Sequence, residues 1–92
     1  MKATFVKEAD GFAEHAELFR LERPAETRCG INFQFIVVST LKCALDTGLP
    51  ETYIFPTYSN GEVLDWRELE GSFQGAMDIS KALRDGGYEE VR

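Results

Sequence analysis

The chain has 92 residues, 43% of them apolar, and its ten basic and sixteen acidic side chains leave a net charge of −6. A chain of this length buries only about 65% of the surface it exposes unfolded, which supports one core and not two, and so much apolar content excludes a disordered acidic tail. The expectation is a single α+β domain over residues 1–92.

In chain order, Ala3 to Val6 is short and β-rich and runs into Lys7 to Gly11, where Asp10-Gly11 supplies turn chemistry. Phe12 to Arg23 is ambiguous. Phe12, Ala16 and Phe19 suit a helical stripe, whereas the alternation around Phe19 and Leu21 suits a strand. Pro24 is expected to end the segment either way, because it lacks a backbone donor and disfavours the α conformation at Arg23. The strongest local pattern is Ile31 to Cys43, which predicts a central strand. Phe33, Phe35, Val37, Ser39 and Leu41 fall on one face and Ile36 and Val38 on the other, so both faces are to be covered midway. Asp46 to Pro50 breaks the chain, and Glu51 to Phe55 forms a further strand closed by Pro56. Asn60-Gly61 favours a tight turn between Thr57-Tyr58 and Glu62 to Leu64. Asp65 to Phe73 is read as irregular. Asp78 fits an N-cap, Ile79, Ala82 and Leu83 repeat at helical spacing, and Gly86-Gly87 is the stop. The predicted architecture is a mainly antiparallel sheet of four or five strands with this one short C-terminal helix on one face.

The longest stretch without a charge, Cys29 to Leu41, falls well short of the roughly 20 apolar residues a membrane span requires. The opening residues carry Lys2, Lys7, Glu8 and Asp10, so no export signal is read there and a cytoplasmic location is expected. In that compartment Cys29 and Cys43 are expected to be reduced thiols. Charge is unevenly placed: residues 1–50 hold six basic and seven acidic side chains, residues 51–92 four and nine. Scattered basic residues in an acidic domain argue against direct nucleic-acid binding, since a phosphate backbone is held by clustered Lys and Arg.

The opening Met1 to Lys7, the segment Pro50 to Pro56, and the tail from Asp65-Trp66 through Gly71-Ser72-Phe73 to Gly87-Tyr88-Glu89 together resemble small uncharacterised proteins encoded by actinobacterial phages. The resemblance covers about two-thirds of the chain. It implies a strand over Ala16 to Leu21 and a phage setting, and it transfers no functional residue.

Tests for chemistry return little. His15, Cys29 and Cys43 are the only soft metal ligands, without Cys-x-x-Cys or paired-His spacing, so no metal or other cofactor is expected. Gly71 to Gly75 lacks the lysine and the glycine spacing of a phosphate loop. Leu49 to Thr52 echoes a sorting signal, but Tyr53 stands where Gly is needed. With no nucleophile, base and oxyanion donor in view, no catalytic residue is assigned. What stands out is the acidic, aromatic-bearing second half. The expectation is a non-enzymatic protein acting in the host cytoplasm on a host protein, with Tyr58, Trp66, Glu68, Glu70, Phe73 and Asp78 as the contact surface. Two alternatives are a homo-oligomeric accessory or structural protein joined through an uncovered strand edge or an apolar patch, and a small-molecule (nucleotide-signal) binder with a pocket between sheet and helix that uses Arg20, Arg23 and Arg28 for phosphates.

Overall fold

The computed structural model describes residues 1–12, 14–42 and 48–92. Four strands follow one another as an antiparallel meander: β1 (Lys2–Glu8), β2 (Ala16–Glu26), β3 (Asn32–Leu41) and β4 (Glu51–Thr57). The two-residue β5 (Phe73–Gln74) extends the sheet beyond β4. The helix α1 (Ile79–Asp85) then crosses one face, and β6 (Glu89–Val91) adds to the opposite edge, parallel to β1. The order is β5-β4-β3-β2-β1-β6, so among the described residues the sheet has six strands and is mixed, where the sequence predicts four or five mainly antiparallel strands. Two strands are unforeseen, β5, which falls at the end of the stretch read as irregular, and β6. The three residues of β6 include Glu89 and Glu90 and carry no alternation, and what makes them a strand is the free edge of β1 beside them.

β3 lies in the middle of the sheet, as its residues predict. Side chains of alternate parity leave a strand on opposite sides, and Phe19 and Leu21 of β2 with Ile36 and Val38 of β3 and Ile54 of β4 form the core beneath Ala82 and Leu83 of the helix. Phe33, at the start of β3, joins this cluster. The other face is covered as well, since Leu18 and Val37 are fully buried. There the turn after β4 comes down on β2: a Cβ at Gly61 would lie 3.9 Å from Leu18 Cδ2. Cys43 and the Asp46-Thr47 part of the predicted break lie outside the described residues.

Two prolines behave otherwise than expected. β2 runs past Pro24 to Glu26, because the β2–β3 register slips between Arg20 and Ala25 and the proline falls inside that interruption, where no ladder donor is required. β4 runs past Pro56 to Thr57. The carbonyl of Pro56 accepts from Leu64 N at 2.9 Å on the outer side of β4, so its donor-less nitrogen also faces away from β3.

The helix is seven residues long, too short to persist alone, and its ends are closed by local chemistry. Asp78 accepts from Lys81 N at 3.0 Å. At the other end Gly87 N donates to Arg84 O and Tyr88 N to Leu83 O, with Gly87 at φ +89°, the double bond of a Schellman motif. Among the described residues no helix is long and apolar enough to cross a membrane.

One polar cluster ties β6 to β2. Arg92 donates to Glu17 at 2.7 Å and to Glu90 at 2.6 Å, Ser80 Oγ donates to Glu90 at 2.6 Å, and His15 Nε2 lies 3.1 Å from Glu17. The Arg92 guanidinium stands 5.0 Å from the centre of the Phe5 ring. Burial pushes the Glu17 carboxyl up, but the hydrogen bonds from Arg92 and His15 together outweigh it and leave it below the ordinary carboxylate value. A depressed carboxyl contributes stability that is complete above its unfolded value and is lost as pH falls through its folded one. Arg92→Ala is therefore expected to cost about 1–3 kcal/mol at neutral pH, the penalty of leaving a desolvated carboxylate short of a donor. In urea titrations the deficit should shrink in acid, where Glu17 is protonated in both proteins; an equal deficit at both pH values would refute the assignment.

Candidate functional site

The stretch from Leu64 to Ala76 decides what the open edge of β4 presents. Leu69 N donates to Ile54 O at 2.8 Å, and Ile54 N donates to Ser72 Oγ at 3.0 Å while that hydroxyl donates to Leu69 O at 3.1 Å. Further along, Thr52 Oγ1 donates to Ala76 O and Gly75 N to Pro50 O. Beyond the two-residue β5, an irregular chain thus satisfies an edge that a regular strand would otherwise pair. Because Leu69 turns into the core, its neighbours Glu68 and Glu70 are left exposed.

Between this stretch and the turn joining β2 to β3 lies a groove of about 910 Å³. Its apolar lining is Ala25, Phe33, Leu69 and Tyr88, buried or half-buried, and its charged lining includes Glu26, Arg28, Glu68 and Glu70, all exposed. The turn is held by Thr27, whose carbonyl accepts from Gly30 N and whose hydroxyl accepts from Ile31 N, with Gly30 at φ +81°. One contact joins the two walls: Arg67 Nη1 lies 2.7 Å from the Sγ of Cys29, a free exposed thiol. Arg67 is otherwise engaged by Asp65, with Nη2 to Oδ2 at 2.7 Å. That guanidinium holds the Asp65 carboxyl below the usual range, and Asp65, then Cys29, raise Arg67 in return. Burial pushes the Tyr88 phenol up, and the nearby Glu70 carboxylate adds to the shift.

The six residues proposed as a contact surface do not form one patch. Trp66, Glu68 and Glu70 line the groove. Glu68 also borders a smaller hollow of about 340 Å³ with Tyr53 and Phe73. Trp66 is 69% exposed, and its indole meets the rings of Phe55 at 5.3 Å and Phe12 at 6.4 Å. Phe73 packs against the core with Lys81 Nζ 4.6 Å from its ring centre, which gives it a structural task. Tyr58, exposed on the turn after β4, lines neither hollow. Asp78 spends its carboxylate on the helix cap. Reading the sequence missed the opposite wall, Ala25 to Cys29, and Tyr88. The available signals were the Thr27-to-Gly30 turn and the position of Tyr88 directly after the helix stop, where an apolar contact back to the helix is common.

The arginines suggested for phosphate binding are dispersed. Arg28 lines the groove, Arg23 pairs with Glu22 at 3.6 Å, and Arg20 leaves β2 on the face opposite Phe19 and Leu21. His15 and Cys29 sit beyond opposite ends of β2, about 30 Å apart at the usual rise per residue, so they do not form a nucleophile and base. Among the described residues no three potential metal ligands come together. Comparison of the chain with protein families, with curated proteins and with solved structures finds no match.

Proposed function

We propose that the chain is a non-enzymatic binding protein of phage type that docks a host protein in the host cytoplasm through the groove beside Trp66. The observation that supports this reading is an apolar lining beside carboxylates that form no ion pair among the described residues. Among the described residues neither Glu68 nor Glu70 takes part in an ion pair, while an exposed tryptophan stands next to them. Large aromatics at the margin of a hollow are common anchors of protein interfaces, and charges around them set the on-rate and the choice of partner.

The test is charge reversal. Glu68→Lys combined with Glu70→Lys alters two exposed side chains outside the core, so thermal melting should be nearly unchanged. Proteins captured from host lysate by the parent chain should be lost at least tenfold from the variant. Retention of the same set in the same amounts would refute the groove as the contact surface.

A further inference from the structure

The docking reading leaves open what chemistry the groove recognises, and the molecule shows elsewhere how it holds a guanidinium. In the cluster at β6, Arg92 lies between two carboxylates, Glu17 and Glu90, over the ring of Phe5, with the Phe19 ring centre 5.7 Å away. The groove lining also has two carboxylates, Glu68 and Glu70, and two large rings, Trp66 and Tyr88, and among the described residues neither carboxylate is ion-paired, although Arg28 shares the lining. Its own Arg67 does not serve, because Asp65 and Cys29 already hold it. We infer that the groove receives an arginine side chain carried on an extended segment of the partner protein, together with an apolar neighbour that rests on Phe33 and Leu69.

This inference rests on the docking reading and makes it specific. A guanidinium stacks on aromatic faces and pairs with carboxylates through a planar fork, and its methylene stem is at home on an apolar floor. With Asp65 and Arg67 satisfying each other, the lining leaves three acidic groups, Glu26, Glu68 and Glu70, against Arg28. That balance favours a cationic guest. The volume of about 910 Å³ lies near the upper end of small-ligand pockets, so one side chain does not fill it. The neighbouring hollow shares Glu68 and Ser72 with the groove, which gives a segment a path to continue past Phe73.

The experiment titrates the isotope-labelled full chain with acetyl-Leu-Arg-Leu-Arg-amide and with two analogues in which citrulline or glutamate replaces each arginine. Trp66 is the sole tryptophan, so fluorescence reports it alone. The arginine peptide should shift the amide signals of Glu68, Glu70 and Tyr88 and change the Trp66 emission. Its dissociation constant should rise at least tenfold in the Glu68→Gln, Glu70→Gln variant, and the citrulline and glutamate peptides should leave those signals in place. Equal binding of the citrulline peptide at the same signals would overturn the arginine while leaving the docking reading intact. So would silence with all three peptides if charge reversal still abolishes capture from lysate. Silence together with unchanged capture would remove both.

Discussion

Gly71→Ala is expected to lower the stability of the chain by more than about 4 kcal/mol. Gly71 has φ +105°, and a Cβ built there would lie 2.4 Å from the carbonyl oxygen of Ala82, 2.8 Å from Ile54 Cδ1 and 2.9 Å from the nitrogen of Gly86. Two of these three neighbours are backbone atoms, and the third belongs to a fully buried side chain, so none can step aside cheaply. The backbone conformation alone costs about 1–3 kcal/mol for a residue with a side chain. Moving the helix end away from β4 adds to it, and a total above about 4 kcal/mol consumes most of the stability of a small domain. Gly75→Ala is the control. It has a similar φ of +96° but nothing within 4 Å, so it should show the conformational cost alone. Thermal melts followed by circular dichroism separate the two; equal melting temperatures would mean that the helix end and the groove wall do not meet at Gly71.

Phe19→Ala is expected to cost about 3–5 kcal/mol, the range for emptying a fully buried aromatic site. Phe19 is wholly buried at the centre of the core, edge-on to Phe5 with ring centres 5.9 Å apart, and opposite Ile36 on β3. Its loss opens the space between sheet and helix and removes one of the two rings over which Arg92 lies. Phe55→Ala, on the other face and only half-buried, should cost clearly less. Urea unfolding of both variants checks this; a smaller loss at Phe19 than at Phe55 would show that the helix-covered face is not the main core.

How much of this was visible in the residues depends on how local the cause is. β3 was legible because a continuous run of β-branched and aromatic residues gives it two apolar faces, although Phe33 joins the Ile36 face and not the Val37 face its parity assigns, and α1 because Asp78 and Gly86-Gly87 write its ends into the chain. The turn at Asn60-Gly61 was legible for the same reason: Gly61 has φ +90° and Tyr58 N donates to Glu62 O. β6 was not, since its three residues become a strand only by meeting β1. Pro24 misled because a register slip shelters it, and a slip is a property of two strands rather than of one. The candidate site divides in the same way. Trp66, Glu68 and Glu70 stand out in composition as aromatic and acidic side chains in a loop, whereas the wall from Ala25 to Cys29 and the approach of Tyr88 arise from long-range packing that periodicity does not encode.

The stretch laid along β4 is fastened through main-chain groups, the Ser72 hydroxyl, the absent side chain of Gly71 and the inward Leu69. None of those anchors is an outward-pointing side chain. Covering the β4 edge and presenting Glu68 and Glu70 to solvent therefore fall to different atoms of the same dozen residues, so under the docking proposal those two carboxylates could be exchanged for other side chains without disturbing the frame that carries them.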